Sequence, residues 1–319
     1  MESWRKTIAG AVGMGSVGVL VATVAALLAP FGWPFELFAH FRWQVATAAA
    51  ALLLASLVLR RPWMMVVTLA ALAAQSLPGI LPGRTAAAHA VTGACTGPTL
   101  RVVTVNVLFT NSTPAPLLDW LARSDADVIA LQEFTPEWEA AVAPLMERYP
   151  HRRVLARPDP YGIALLSRWP LQPGAGTVDL AGDGMPSLVG TVELPAGREL
   201  RMMALHTHWP VTRELQQQRD LALRAAAQLA AGGDVPTVLV GDLNLTPYAP
   251  AFARLVRDSG LRDALDEEAW RPTWQAGFWP LALPIDHVLV PRDACVVAHE
   301  IGPDVGSDHR PLAVTLRLP

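Results

Sequence analysis

Thr237-Val238-Leu239-Val240-Gly241-Asp242-Leu243-Asn244 is the stretch on which the architecture turns. Thr237 to Val240 reads as a hydrophobic, β-branched strand. Gly241 follows it, then Asp242 and Asn244 two positions apart, so in extended chain both side chains lie on one face. A carboxylate and an amide at the tip of an apolar strand stand where a β scaffold presents polar groups into a cleft.

Outward from this stretch the same device recurs. Strand-like runs occupy Leu100 to Leu108, Asp127 to Leu131, Tyr161 to Leu166, Ser187 to Leu194, Leu200 to His206, Ile285 to Val290, Cys295 to His299 and Leu312 to Leu318. Asn106 ends the first, Gln132 and Glu133 end the second, Asp286 opens Ile285-Asp286-His287-Val288, and Ser307-Asp308-His309-Arg310-Pro311 leads into the last. Helical patterns run from Pro116 to Arg123, Pro136 to Arg148, Arg213 to Ala231 and Pro250 to Ser259, the last with Gly260 where a helix C-cap favours it. Pro195, Ala196 and Gly197 between two strands read as a hairpin, which a purely parallel sheet does not contain. Mixed or antiparallel sheets with helices outside are the expected result.

The chain has 319 residues, 52% hydrophobic and only 17% charged, against about a quarter charged in ordinary soluble domains. The apolar excess lies before about residue 82, in runs over 7–31, 43–59 and 62–81. Each is near the ~20 residues that span a bilayer and none keeps a polar stripe, so three transmembrane helices are expected. The first run exceeds the apolar segment of a cleaved signal peptide, and two more follow it. Arg5 with Lys6, and Arg60 with Arg61, belong on the cytoplasmic side by the positive-inside rule. The aromatic loop from Gly32 to Arg42 and everything after residue 81 then lie outside, and Arg42 alone points the other way. Ala9 with Gly13 and Ala11 with Gly15 are spaced for close helix packing within the monomer. Residues 83–98, rich in Gly, Ala, Thr and Pro, read as a linker to a domain over 99–319. Cys95 and Cys295 would lie in a compartment that permits disulfides, and both pairing and two unpaired thiols fit the sequence.

Taken one at a time, the polar strand ends are weak signals. Together, Asn106, Gln132-Glu133, Tyr161-Gly162 with Ser167-Arg168, Thr207-His208, Gly241-Asp242-Leu243-Asn244, Ile285-Asp286-His287 and Ser307-Asp308-His309 resemble the signature of the endonuclease/exonuclease/phosphatase superfamily. Leu243 stands where many members carry Phe, a change of apolar filler between the polar positions. The resemblance implies a four-layered α/β sandwich of the DNase I-like kind, two mixed sheets flanked by helices, and a divalent-metal-dependent phosphoester hydrolase.

It also implies roles. Glu133 would coordinate Mg²⁺ (or Mn²⁺), helped by Asn106 and Asp308, an all-oxygen set that suits a hard cation. Zinc is disfavoured by the lack of a thiolate cluster. Asp242 would orient or deprotonate the attacking water and Asn244 stabilise developing charge. His309 would contact the phosphate or act as general base with Asp286 fixing its ring, and His208 would support the scissile phosphate or protonate the leaving group. His206 shares a strand face with His208, and either could enter the cleft; Tyr161, His206 and Trp274 are candidate substrate contacts. His287 should face away as a structural histidine.

The substrate is set by surrounding loops. Trp270, Trp274, Phe278 and Trp279 just before Asp286 form an aromatic loop that, if exposed at the mouth of the site, favours a lipid interface. A lipid-linked phosphate or diphosphate at the outer membrane face is therefore expected. A tethered nuclease or soluble-phosphoester phosphatase is the alternative, disfavoured by a net charge of −3 and a pI of about 6.2. A non-catalytic binding module on the membrane would show damaged polar positions, and here they are all filled.

Overall fold

The computed structural model describes residues 2–77, 95, 97, 99–174, 176–265 and 270–318. They divide into two units, one of Met1–Ala86 with Pro210–Gln216 and Pro247–Ala253, the other of Ala87–Trp209, Gln217–Thr246 and Arg254–Pro319.

In the larger unit two six-stranded mixed sheets account for the strands of the described residues. The first sheet runs in the order β11 (Cys295–Ile301), β12 (Leu312–Arg317), β1 (Thr99–Asn106), β2 (Val128–Gln132), β4 (Ile163–Ser167), β3 (His151–Leu155). The second runs β5 (Gly176–Asp179), β6 (Pro186–Leu194), β7 (Arg198–His206), β8 (Thr237–Asp242), β10 (Asp286–Pro291), β9 (Leu261–Asp263). Each sheet holds one parallel pair, β1 with β2 and β7 with β8, and antiparallel partners around it. Parallel neighbours need a crossover, supplied by α5 (Ala115–Ser124) in the first sheet and α7 (Arg213–Ala231) in the second. Val102, Val128 and Leu165 of one sheet and Met202, Val240 and Val288 of the other share one fully buried core. The opposite face of the first sheet packs Val103, Val105 and Ile129 against Leu117 and Leu121 of α5 and Trp138 of α6 (Pro136–Ala141). This is the DNase I-like α/β sandwich that the motifs imply.

The helix expected over 136–148 is shorter. After Ala141 the chain passes into a 3-10 turn, Ala143–Leu145, because Pro144 has no N–H to continue the ladder. Strands β3, β5 and β9 were not expected. They are short edge strands, and His151–Leu155 carries two arginines where an apolar period would have marked a strand.

In the smaller unit the first two apolar runs form α1 (Glu2–Leu27) and α3 (Arg42–Leu59), joined through a short helix α2 (Glu36–His40). Ser3–Leu27 and Arg42–Leu59 are long and apolar enough to cross a membrane. The third expected run contains α4 (Pro62–Ser76), an apolar helix of 15 residues, shorter than these two, and residues 78–81 of the expected span lie outside the described ones. The small residues serve packing within the chain, Gly13 facing Met64 of α4 and Gly15 facing Leu52 of α3. Arg42 is buried, with its guanidinium bonded to the carbonyls of Gln75 and Leu77. It caps the C-terminus of α4, where the helix dipole favours a cation, so its position reports capping rather than orientation.

Of the expected linker over 83–98 only Cys95 and Gly97 are among the described residues. Cys95 and Cys295 form a disulfide, with Cα atoms 6.0 Å apart.

Candidate active site

The strand directions gather the polar residues at one end. Asn106 and Gln132 are paired at the C-terminal ends of parallel β1 and β2, and His206 and Asp242 at the ends of parallel β7 and β8. An antiparallel neighbour begins where its partner ends, so Asp286, first in β10, pairs with Asp242, and Ile163, first in β4, pairs with Gln132. His309 precedes β12, and the Ser307 hydroxyl ties that turn to the Asn106 carbonyl at 2.8 Å. Two tight approaches depend on glycine. Gly241 has φ +137°, and a Cβ there would strike the Leu205 carbonyl; a Cβ on Gly162 would strike the carbonyl of Phe134, directly after Glu133. Glu133 (φ +58°) and Asn244 (φ +46°) are held in left-handed backbone, a conformation that recurs where side chains are aimed at a site.

His309 is the electrostatic centre. Its Nδ1 lies 2.8 Å from Asp286 Oδ2 and its Nε2 3.6 Å from Asp242 Oδ2. Burial by itself would lower its pKa, but the charges of Asp286 and Asp242 and the Asp286 hydrogen bond push it up to about 10. Burial raises the Asp286 carboxyl, yet His309 outweighs it and holds the group below its ordinary value. Asp242 goes the other way: burial, with the like charge of Asp286, raises it despite His309 and His206. Two carboxylates with pKa values pushed apart around one imidazole separate a proton-accepting group from a permanent counter-ion. Asp242 Oδ1 accepts from the Asn244 backbone N–H at 2.8 Å, and the Asn244 amide donates to the Thr207 carbonyl at 2.8 Å.

Ligand atoms of Asp242, Asp286 and His309 lie within 4.8 Å of one another, close enough for a metal. In both carboxylates, however, an oxygen already faces His309, at 2.8 Å from Asp286 and 3.6 Å from Asp242. Glu133 offers the better cation position. It is half-buried, accepts from the Asn106 amide at 2.9 Å and the Phe109 N–H at 2.9 Å, and has no basic partner among the described residues. Asn106 turns its amide nitrogen toward Glu133 and Asp242 (3.1 Å) and its oxygen toward the Leu108 N–H. Asp308 accepts from the Trp274 indole at 2.9 Å. Among the described residues Asp308 Oδ1, Asp286 Oδ1 and His206 Nδ1 are buried without a hydrogen-bond partner. Unpartnered polar atoms gathered at one site are free to take an ion, water or substrate, and the oxygen-rich set fits a hard divalent cation.

His206, the last residue of β7, and His208, two positions further on, part company. His206 Nε2 is 3.7 Å from Asp242 Oδ2. His208 Nε2 is 2.9 Å from Asp183 Oδ2, and its ring meets Tyr161 edge-on at 6.0 Å. Asp183 was missed in the sequence because it lies in a Gly- and Asp-rich loop with no apolar period. That loop is folded by Asp179, whose carboxylate accepts the N–H groups of Gly182 and Gly184 at 2.7 and 2.8 Å. Trp274 bridges to His309 and stacks obliquely with Trp209, centroids 6.4 Å apart. Trp209 was also missed; at 60% exposed it carries no burial pattern to mark it. His287 points away, its Nε2 2.7 Å from the Leu245 carbonyl and its Nδ1 3.2 Å from Asp263.

The sequence matches the model of the Endonuclease/Exonuclease/phosphatase family over residues 103–309, well over half of the chain. None of the curated proteins matches it significantly. Solved structures share the fold. Humanized TDP2 of D. rerio aligns with TM-score 0.58 and 20% identity over 69% of this chain and 99% of that one. A family protein of Beutenbergia cavernae aligns with TM-score 0.55 and 23% identity over 69% and 72%. A mannosyl-6-phosphatase of Bacteroides thetaiotaomicron aligns with TM-score 0.54 and 17% identity over 69% and 100%.

Proposed function

Because the chain belongs to the endonuclease/exonuclease/phosphatase family, we propose that it is a membrane-tethered hydrolase of lipid-linked phosphate or diphosphate, using Mg²⁺ or Mn²⁺ at the outer membrane face. Family members are phosphoester hydrolases that generally depend on a divalent metal, and that reaction class is this chain's own. The observation that carries the lipid reading is the segment after Trp274. Trp274 is bonded to Asp308 beside His309, and Phe278 (56% exposed), Trp279 and Leu281 follow within a few residues, so large apolar side chains stand in solvent close to the polar cluster. The N-terminal helices support tethering: Met14, Val58 and Val66 are 73%, 80% and 67% exposed, an apolar outer surface that suits lipid and not water. With the positive charges before α1 and between α3 and α4 inside, and with α4 taken as a third crossing, the proposed topology puts the N-terminus in the cytoplasm and the catalytic domain over 99–319 outside it, the side on which the Cys95–Cys295 disulfide is stable.

The cation, held by Glu133 with Asn106 and Asp308 beside it, would supply charge neutralisation at the phosphate. Asp242, its carboxyl raised by burial, takes a proton from the attacking water. Protonated His309, oriented by Asp286, donates to a phosphoryl oxygen, with Asn244 and His206 alongside. His208, set by Asp183 and Tyr161, stands at the leaving-group side. A nuclease or soluble-phosphoester activity is the second reading, and the net charge of −3 weighs against it.

The test is phosphate release by the full chain in detergent with Mg²⁺ or Mn²⁺, on polyprenyl diphosphate, phospholipid and single-stranded DNA. Turnover of a lipid phosphate that Glu133→Ala and His309→Ala each abolish is the expected result. Cleavage of DNA alone would overturn the lipid assignment, and no turnover of any of them would overturn the catalytic one.

A further inference from the structure

Two loops of the catalytic sequence belong to the smaller unit. Pro210–Gln216 begins just beyond His208, and Pro247–Ala253 begins just beyond Asn244; both cluster with Met1–Ala86. Within that unit they are held by the stretch that joins α1 to α3. Gln216 is 5% exposed and engaged at both ends of its amide: Oε1 accepts from the Trp33 backbone N–H at 2.7 Å, and Nε2 donates to Glu36 Oε2 at 2.7 Å. Glu36 is itself buried, with His40 Nε2 3.8 Å from its other oxygen. The Tyr248 hydroxyl accepts from the Trp43 indole at 2.8 Å, and the Arg42 guanidinium lies over the Tyr248 ring, 5.8 Å from its centroid. Gly32, at φ +81°, passes close enough that a Cβ would come 3.2 Å from Gln216 Oε1.

An amide with donor and acceptor both satisfied has one orientation, and a buried carboxylate is tolerated only where it is paired. A tether that only retained the enzyme at a membrane would need neither, since a flexible linker suffices. We infer that the stretch 32–43 is a positioning element for catalysis, with Gln216 and Tyr248 as the positioning residues through which it fixes the loops following His208 and Asn244. This rests on the phosphoester-hydrolase reading of the site. Displacing catalytic groups by about 1 Å is enough to cost on the order of 100-fold in rate, so loosening either loop lowers kcat while leaving substrate affinity in place.

The experiment uses the full chain in detergent with Mg²⁺ and the substrate it turns over best, and compares Tyr248→Phe, Gln216→Glu, and Gln216→Glu combined with Glu36→Gln. Tyr248→Phe keeps the ring and removes the hydroxyl. Gln216→Glu opposes two carboxylates, and the double variant restores one donor and one acceptor with the roles exchanged. Each single variant is expected to lower kcat about tenfold with KM little changed and to speed amide exchange in 207–216 or 244–250, and the double variant to recover both. Unchanged kcat in the single variants, or a double variant that regains its melting temperature but not kcat, overturns the inference. If the wild type turns over no substrate, the functional reading fails, and amide exchange decides the clasp separately: protection unchanged in the variants overturns it.

Discussion

His309 is contacted through both ring nitrogens by carboxylates of different character, Asp286 below its ordinary pKa and Asp242 above it. The difference follows from contact distance. Asp286 makes the 2.8 Å hydrogen bond, while Asp242 is buried at 3.6 Å with less compensation. Replacing Asp286 by Asn keeps the shape and removes the charge that favours the imidazolium. His309 should then titrate well below about 10, readable by NMR of the metal-free protein, and kcat should fall by roughly 10²–10⁴ as the proposed proton donor loses its orientation and charge. A His309 titration that does not move would show that Asp286 is not its counter-ion. At this scale the sequence was informative about residue types and poor about pairings. Asp242 and Asn244 were legible from spacing, but the partnership of His208 with Asp183 joins residues 25 positions apart through a loop without periodicity.

At the scale of elements, the second sheet is braced where β9 meets β10. Asp263 is fully buried and takes the Arg271 guanidinium and His287 Nδ1. Burial would raise its carboxyl, but Arg271 and His287 overcome that and hold it far below the carboxylate range. A depressed carboxyl contributes stability that is present above its unfolded value of about 4 and lost as pH falls past it. Asp263→Asn should therefore lower stability at neutral pH by about 3–5 kcal/mol, since it leaves buried Arg271 unpaired, and its melting temperature should decline less than that of the wild type between about pH 5 and 3. Parallel melting curves against pH for the two proteins would remove Asp263 as the cause. Strand β9 itself, only three residues long, had too little chain to display a pattern.

Across the whole molecule, the Cys95–Cys295 disulfide closes a loop of sequence separation 200, joining the start of the catalytic sequence to edge strand β11. A cross-link over so long a loop removes unfolded-state freedom worth up to about 5 kcal/mol. Cys295→Ser should lower the denaturation midpoint by the equivalent of about 2–5 kcal/mol, and a reductant should do the same to the wild type but not to the variant. Equal sensitivity of both proteins to reductant would sink the assignment. The helices and the sandwich differ in what water can do for them. Strands β1, β2, β8 and β10 hide their apolar faces between layers, whereas α1, α3 and α4 leave Met14, Val58 and Val66 uncovered.

By itself the sequence determined the apolar runs of the first third, the alternation of strands and helices after residue 99, and the identity of the polar residues at the strand tips. Each of these is a local property, carried by period, propensity or spacing within a few residues. Tertiary structure alone decided that the C-terminal ends of the parallel pair in each sheet would meet Asp286, which begins β10, and His309, which precedes β12. It alone set Asp183 against His208, made Arg42 a helix cap and brought Gln216 to Glu36. Those outcomes depend on contacts between residues distant in the chain, whose energies appear only when burial removes water from both partners at once.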